Sequence, residues 1–341
     1  MSKKLILRLL ILVFVLALGG ISKSQAMTIT PVRYELSGNK GDTVSKEITL
    51  INDDDAPVVY YSSFANFEAQ GESGSAAFIE RPTEGIGTWM RTERSVTVYP
   101  GEQKTIDFSI DIPNDAESGG HFGVIFWGTS PEDVEDNKQL AVSAKTGLIV
   151  LLSVNGDVKE AGGLIEFDTK DSKFWYNTLP VNFYYRFRND GGDRIKPEGK
   201  IKIKSFLFIP VKKIDANPMD GNILPNSTRK FSIDWVKYTR PKDNEPREGL
   251  VGLFFDKVVY QWKNFALGIY SAKLDIAYGT QNEKAEKVAY FFVFPWQLFI
   301  CLIIIIIIIF IGGKKLIKKY NSYIINKAHS QMQLPTNENH V

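Results

Sequence analysis

Residues Tyr99 to Asn114 read YPGEQKTIDFSIDIPN. Behind the Pro100-Gly101 turn, Ile106, Phe108, Ile110 and Ile112 alternate with Thr105, Asp107, Ser109 and Asp111. A period of two puts one set of side chains on each face of an extended strand, and no helical pitch produces it. The stretch therefore reads as a half-buried antiparallel strand whose apolar face needs a second sheet to cover it.

The same grammar recurs on both sides. KGDTVSKEITLIND has a Gly41-Asp42 turn and then Val44, Ile48 and Leu50; LPNSTRKFSIDW has Pro225-Asn226 and then Phe231, Ile233 and Trp235. In LPVNFYYRFRNDGG, Val181, Phe183, Tyr185 and Phe187 share one face. Many short strands separated by turn signals mean sandwiches or barrels, and no long amphipathic helical pattern interrupts them. The expected fold is all-β, with two tandem immunoglobulin-like β-sandwiches followed by one transmembrane helix. TGLIVLLSVNGDVKEAGG closes the first domain, and its Asn155-Gly156-Asp157 turn sets the boundary, giving domains at 27–156 and 157–294. GGHFGVIFWG, Gly119 to Gly128, places Phe122, Val124 and Phe126 on one face and His121, Ile125 and Trp127 on the other. Apolar residues on both faces predict a central strand covered twice, with Gly123 marking a bulge or a close approach by another backbone, that of the neighbouring sheet.

Both ends of the chain relate to a membrane. Lys3, Lys4 and Arg8 precede an apolar run from Leu9 to Leu18, and Ser24-Gln25-Ala26 suits signal peptidase, so cleavage is expected between Ala26 and Met27. Pro295 ends the last strand at Phe294, and the expected span covers 295–313. Trp296 is its interfacial anchor, and Lys314 and Lys315 open a short basic tail at 314–341. Lysines on that side place the tail in the cytoplasm and the long N-terminal region outside a cell membrane crossed once. Cys301, the single cysteine, falls within the span, so the exported region holds no disulfide.

Composition narrows the chemistry. Among 341 residues, 41 Lys and Arg nearly balance 39 Asp and Glu, which gives no basic face for nucleic acid. His121 is the only exported histidine, and no G-x-S-x-G elbow occurs, so a nucleophilic triad, a histidine-rich metal site and a cofactor are not expected. Asp53, Asp54 and Asp55 lack the spacing of a calcium loop and read as a solvated hairpin turn. Residues 66–95 form a Gly-, Ser- and Glu-rich insertion that ends in Trp89-Met90-Arg91. Long loops on a rigid sandwich often bind, which makes Trp89 and Arg91 candidate ligand-binding residues, with Trp89 as a core residue the competing reading. His121 is a third candidate, set against a structural place at the sandwich rim.

The order of motifs resembles the WxL-interacting proteins of bacterial surfaces over nearly the whole length. The residues that carry the resemblance are ITPVRYELSGNKGDTVSKEITLIND (Ile29 to Asp53), VTVYPGEQKTIDFSIDIP, GGHFGVIFWG, TGLIVLLSVNGD, ILPNSTRKFSIDW and LGIYSAKLDIAYG. The resemblance implies a peptidoglycan-binding first domain, a host-binding second domain and a C-terminal anchor. The implied partners are cell-wall peptidoglycan or a surface protein. Together these readings favour a non-enzymatic surface binding protein. A membrane-tethered pilus-type assembly chaperone is the alternative, and a wall-modifying hydrolase a more distant one.

Overall fold

The computed structural model describes residues 27–131, 145–241 and 249–332. The export signal up to Ala26 lies outside these residues; Met27 opens the first strand. The chain forms two compact units: one runs as far as Gly162 and also takes Arg188–Ile195 and Asn222–Arg229, and the other takes the remainder.

The first unit is built from β1 (Met27–Thr30), β2 (Arg33–Gly38), β3 (Thr43–Asn52), β4 (Val58–Gln70), β5 (Ser75–Glu80), the one-turn helix α1 (Ile86–Trp89), β6 (Met90–Thr92), β7 (Ser95–Val98), β8 (Gln103–Asp111), β9 (Gly119–Gly128) and β10 (Lys145–Val154). One sheet has the order β1-β3-β8-β6; the other has the order β2-β10-β9-β4-β5, with β7 also paired to β4. The β2–β10 pairing is parallel and the remaining pairs are antiparallel. Ile106, Phe108 and Ile110 of β8 are buried and pack with Ile48, Leu50, Ile125, Trp127 and Val150 in one core, as the alternation requires.

β9 is a central strand whose two faces are both covered. Ile125 and Trp127 enter the main core, while Phe122 joins Phe67 and Leu151 in a second cluster against which Leu224 packs. The close approach at Gly123 differs from the expected one. A Cβ there would lie 2.8 Å from Ile86 Cγ2 and 2.9 Å from Met90 Cε, so the space serves side chains from α1 and β6, not the backbone of the facing sheet.

Two further expectations are corrected. Residues 66–95 are not a loop: they complete β4, form the antiparallel β4–β5 hairpin and continue through α1 and β6. The Asp53–Asp55 connection is not a hairpin turn either, since β3 and β4 belong to different sheets. Fully buried Asn52 shapes that crossing. Its Nδ2 donates to the carbonyls of Ala56 and Val98, both at 2.9 Å, and its Oδ1 accepts from Asp54 N at 3.0 Å.

The second unit holds all or most of β11 (Gly162–Thr169), β12 (Trp175–Tyr176), β13 (Val181–Asn189), β14 (Glu198–Ser205), β15 (Pro210–Asp215), β16 (Ser227–Trp235), α2 (Gly249–Lys263), β17 (Gly268–Tyr278), β18 (Glu283–Val293) and α3 (Trp296–Met332). Its sheets have the orders β11-β13-β16 and β12-β18-β17-β14-β15. Aromatic rings fill the core: Tyr185 stacks on Phe231 at 4.6 Å, and Phe183 and Trp235 meet Phe291 at 5.5 and 5.8 Å. Both units are thus β-sandwiches of the immunoglobulin-like class.

The 15-residue helix α2 contradicts the expectation of no long helix in this region. Its sequence GLVGLFFDKVVYQWK opens with the apolar run Leu250–Phe255 and has charged or amide side chains only at Asp256, Lys257, Gln261 and Lys263, and a short apolar run has no period that separates helix from strand. Helix α3 is long and apolar enough over Trp296–Lys327 to cross a membrane. At 1.5 Å per residue that stretch is roughly 48 Å, longer than a hydrocarbon core of about 30 Å. The helix itself runs on through Lys314 and Lys315 to Met332.

Candidate functional site

The site is assembled around one asparagine on β4. Asn66 Nδ2 donates to the Glu84 carbonyl and its Oδ1 accepts from Gly87 N, both at 2.8 Å. Those two bonds hold the turn that starts α1. Gly85 has φ 76°, a left-handed conformation that favours glycine, and a Cβ there would stand 2.9 Å from Asn66 Nδ2. Ile86 is buried beneath the turn, so α1 is fixed from below by packing and from the side by Asn66.

Trp89 ends this turn half-buried, and its ring lies 4.6 Å from that of His121, inclined at 53°. His121 is the third residue of β9 and is opposite Leu152 of β10. Its Nε2 donates to the Glu117 carbonyl at 2.9 Å. The two rings line an open groove with Phe67 and Phe122, and Glu68, Glu84, Asp115 and Glu117 share that lining. All four carboxylate residues are exposed. The groove thus offers flat aromatic surface beside a set of hydrogen-bond acceptors.

Of the three residues singled out in the sequence, the structure brings Trp89 and His121 together and leaves Arg91 apart. Arg91 Nη1 donates to the carbonyls of Thr88 at 2.5 Å and Met90 at 2.8 Å, so its charge closes the C-terminal end of α1. Asn66 and the four carboxylates were not singled out. The Gly85-Ile86-Gly87 pattern signals a tight turn, but no local feature points from that turn to a strand residue 21 positions away. Among the described residues, no three His, Cys, Asp or Glu side chains gather as metal ligands. The residues expected to act as anchors lie elsewhere, with Trp296 at the start of α3 and Lys314 and Lys315 exposed along it.

No family model matches the chain, and no curated protein matches it. Among solved structures it is similar to the class 5 fimbriae chaperone CfaA, at 12% identity and a TM-score of 0.37, over 77% of this chain and 99% of that one. It is similar to the Escherichia coli chaperone DraB at 10% identity and a TM-score of 0.33, over 79% and 96% of the two chains. The Pseudomonas aeruginosa chaperone CupB2 gives 7% identity and a TM-score of 0.34, over 77% and 100%.

Proposed function

We propose that this chain is a non-enzymatic, membrane-anchored surface protein whose exported immunoglobulin-like domains bind cell-wall polymer or another surface protein. The observation that carries the reading is the Trp89–His121 pair in a groove lined by four exposed carboxylates. An aromatic face covers the C–H side of a sugar ring, and carboxylates accept bonds from its hydroxyls. In this reading the N-terminal segment directs export, α3 crosses the membrane and Lys314 and Lys315 remain in the cytoplasm.

The test is sedimentation of the detergent-solubilised full chain with purified cell walls, alongside capture of surface proteins. Trp89→Ala removes the largest aromatic surface of the groove and lowers wall retention about tenfold, the range of a binding hot spot. Arg91→Ala, which removes no side chain from the groove lining, keeps retention within about twofold. If the full chain neither pellets with walls nor captures a surface protein, the reading fails. Equal effects of the two substitutions would remove the groove from it.

A second reading, a membrane-tethered assembly chaperone, is favoured by β5. This strand lies at a sheet edge with Phe78 and Ile79 nearly half-exposed, and an apolar edge can pair with a strand from a client. It predicts co-purification of a strand-deficient surface subunit with the full chain, lost on Ile79→Lys.

A further inference from the structure

The second unit carries a concentration of exposed apolar side chains that its own core does not use. Phe206, Leu207, Phe208 and Ile209, between β14 and β15, are 70%, 70%, 78% and 56% exposed. Four consecutive large apolar residues at a hairpin tip are costly in water, by roughly 25 cal/mol for each Å² left bare.

Sheet register fixes where this tip lies. Ser205, the last residue of β14, pairs with Tyr270 of β17, and Tyr270 pairs with Phe291 of β18. Two residues after Phe291 the strand ends at Val293, and Trp296 begins α3. The tip and the start of α3 therefore extend beyond the same row of the same sheet. β14 is two strands from β18, and at ~4.8 Å per strand the tip lies on the order of 10–15 Å from the helix.

Other exposed apolar groups gather at this end. Trp175 of β12 pairs with Phe292, and its ring lies 4.8 Å from that residue. Helix α2 is attached here too. Gln261 Nε2 donates to Gln297 Oε1 and to the Asn177 carbonyl at 3.2 Å, and Gln261 Oε1 accepts from Leu298 N at 3.0 Å. Next to this clasp, Trp262 is 71% exposed. The opposite end of β17 and β18 is polar: Tyr278 and Glu283 flank a turn containing Thr280, Gln281 and Asn282, and Lys284 and Glu286 follow. β18 has 11 residues, so the two ends are roughly 33 Å apart.

We infer that the α3-proximal end of the second unit, led by Phe206–Ile209 with Trp175 and Trp262, is a lipid-binding rim that inserts into the interface of an anionic bilayer. Continuity with α3 selects lipid as the occupant, because a rigid sheet joined to a spanning helix brings a tip 10–15 Å away, on the order of one strand triplet, against the headgroups. Charge selects an anionic surface: Lys204, Lys212 and Lys213 are exposed just behind the tip, where their stems can follow the apolar surface while the ammonium groups meet lipid phosphate. This inference rests on α3 being a span and is independent of the Trp89–His121 groove.

The test uses the full chain carrying Cys301→Ser, reconstituted in vesicles of phosphatidylcholine and phosphatidylglycerol, with an environment-sensitive fluorophore on Leu207→Cys. Lipid brominated near the top of its acyl chains should quench the Leu207 label by roughly twofold or more, while iodide in solution leaves it nearly unchanged. A label on Gln281→Cys should show the reverse, and one on Ile306→Cys should report the bilayer interior. A Leu207 label open to iodide overturns the proposal, and so does one shielded from both quenchers, which would mean a second copy of the chain covers the tip. If the Ile306 label lies outside lipid, the span fails and the rim fails with it.

Discussion

Substituting Gly123 by alanine tests the link between the central strand and the groove. The new methyl would stand 2.8 Å from Ile86 Cγ2, 2.9 Å from Met90 Cε and 3.2 Å from the Ala65 carbonyl oxygen. Carbon atoms prefer separations of about 3.5–4.0 Å, so the neighbours must retreat by roughly 0.7 Å or more. Met90 can bend at its terminal methyl, but Ile86 Cγ2 branches directly from Cβ, and both residues are almost fully buried. Overpacking of this kind costs about 1–3 kcal/mol, and relief of glycine's backbone entropy in a strand offsets about 0.5–1 kcal/mol of that. A net loss of about 1–2 kcal/mol should lower the melting temperature by about 3–8 °C. Because Ile86 underlies the turn that carries Trp89, wall retention should fall as well. The assay is a thermal melt of the full chain in detergent, followed by near-ultraviolet circular dichroism, in parallel with cell-wall sedimentation. Gly163→Ala is the reference, since no atom lies within 4 Å of a Cβ at that position. A Gly123→Ala protein that melts with the Gly163→Ala control and retains full binding would refute both the packing argument and its connection to the groove.

Asn52→Ala leaves the buried Val98 carbonyl without the amide that bonds it and removes the support for the Asp54 turn; we expect a loss of about 2–4 kcal/mol in denaturant unfolding. Asn52→Asp should not rescue it, because a carboxylate would face the Ala56 and Val98 carbonyl oxygens; a loss under about 0.5 kcal/mol for either variant would contradict this account. At alkaline pH, Tyr184 is informative: its hydroxyl donates to Glu166 Oε1 at 2.6 Å. That bond first, then burial and the nearby negative charge of Glu166 and Asp168, push its pKa from 10.0 up to about 12. The group is raised in the folded protein, so its stabilisation is complete below pH 10.0 and is lost as pH climbs through about 12. Glu166→Gln should bring this ionisation back toward that of a free tyrosine in an ultraviolet titration and flatten the fall in stability over that window; an unchanged titration would rule out the bond as its cause.

Alternation was legible wherever one face of a strand meets core and the other meets water. Ile106, Phe108 and Ile110 could be placed from their spacing alone, and the two-sided burial of β9 followed from apolar residues at both parities. Helix α2 was not legible, because Leu250 to Trp262 includes too few polar residues to show a period. The crossing at Asp53–Asp55 was misread for a different reason. Acidic turn residues mark a change of chain direction but not whether the chain re-enters its own sheet or crosses to the facing one, and the Asn52 bonds that hold the crossing reach a partner as distant as Val98. In the groove, Trp89 and His121 stand out only separately in the sequence, and nothing local relates two residues that meet through the placement of α1 beside β9.

Register explains the remainder. A period of two reports which way each side chain points but not which residue stands opposite, and slipping a pairing by one residue exchanges the two faces. The tip Phe206–Ile209 reads in sequence as one more apolar run among many. Only the pairing of Ser205 with Tyr270, and of Tyr270 with Phe291, sets it beside the start of α3. The same apolar residues at the Thr280–Asn282 turn would lie at the polar end of the sheet, roughly 33 Å away. There they would be an aggregation hazard rather than a lipid contact. What gives these four side chains a role is therefore a non-local property, the alignment of β14, β17 and β18, and substitutions that shift that alignment should expose the tip to water without altering a single residue within it.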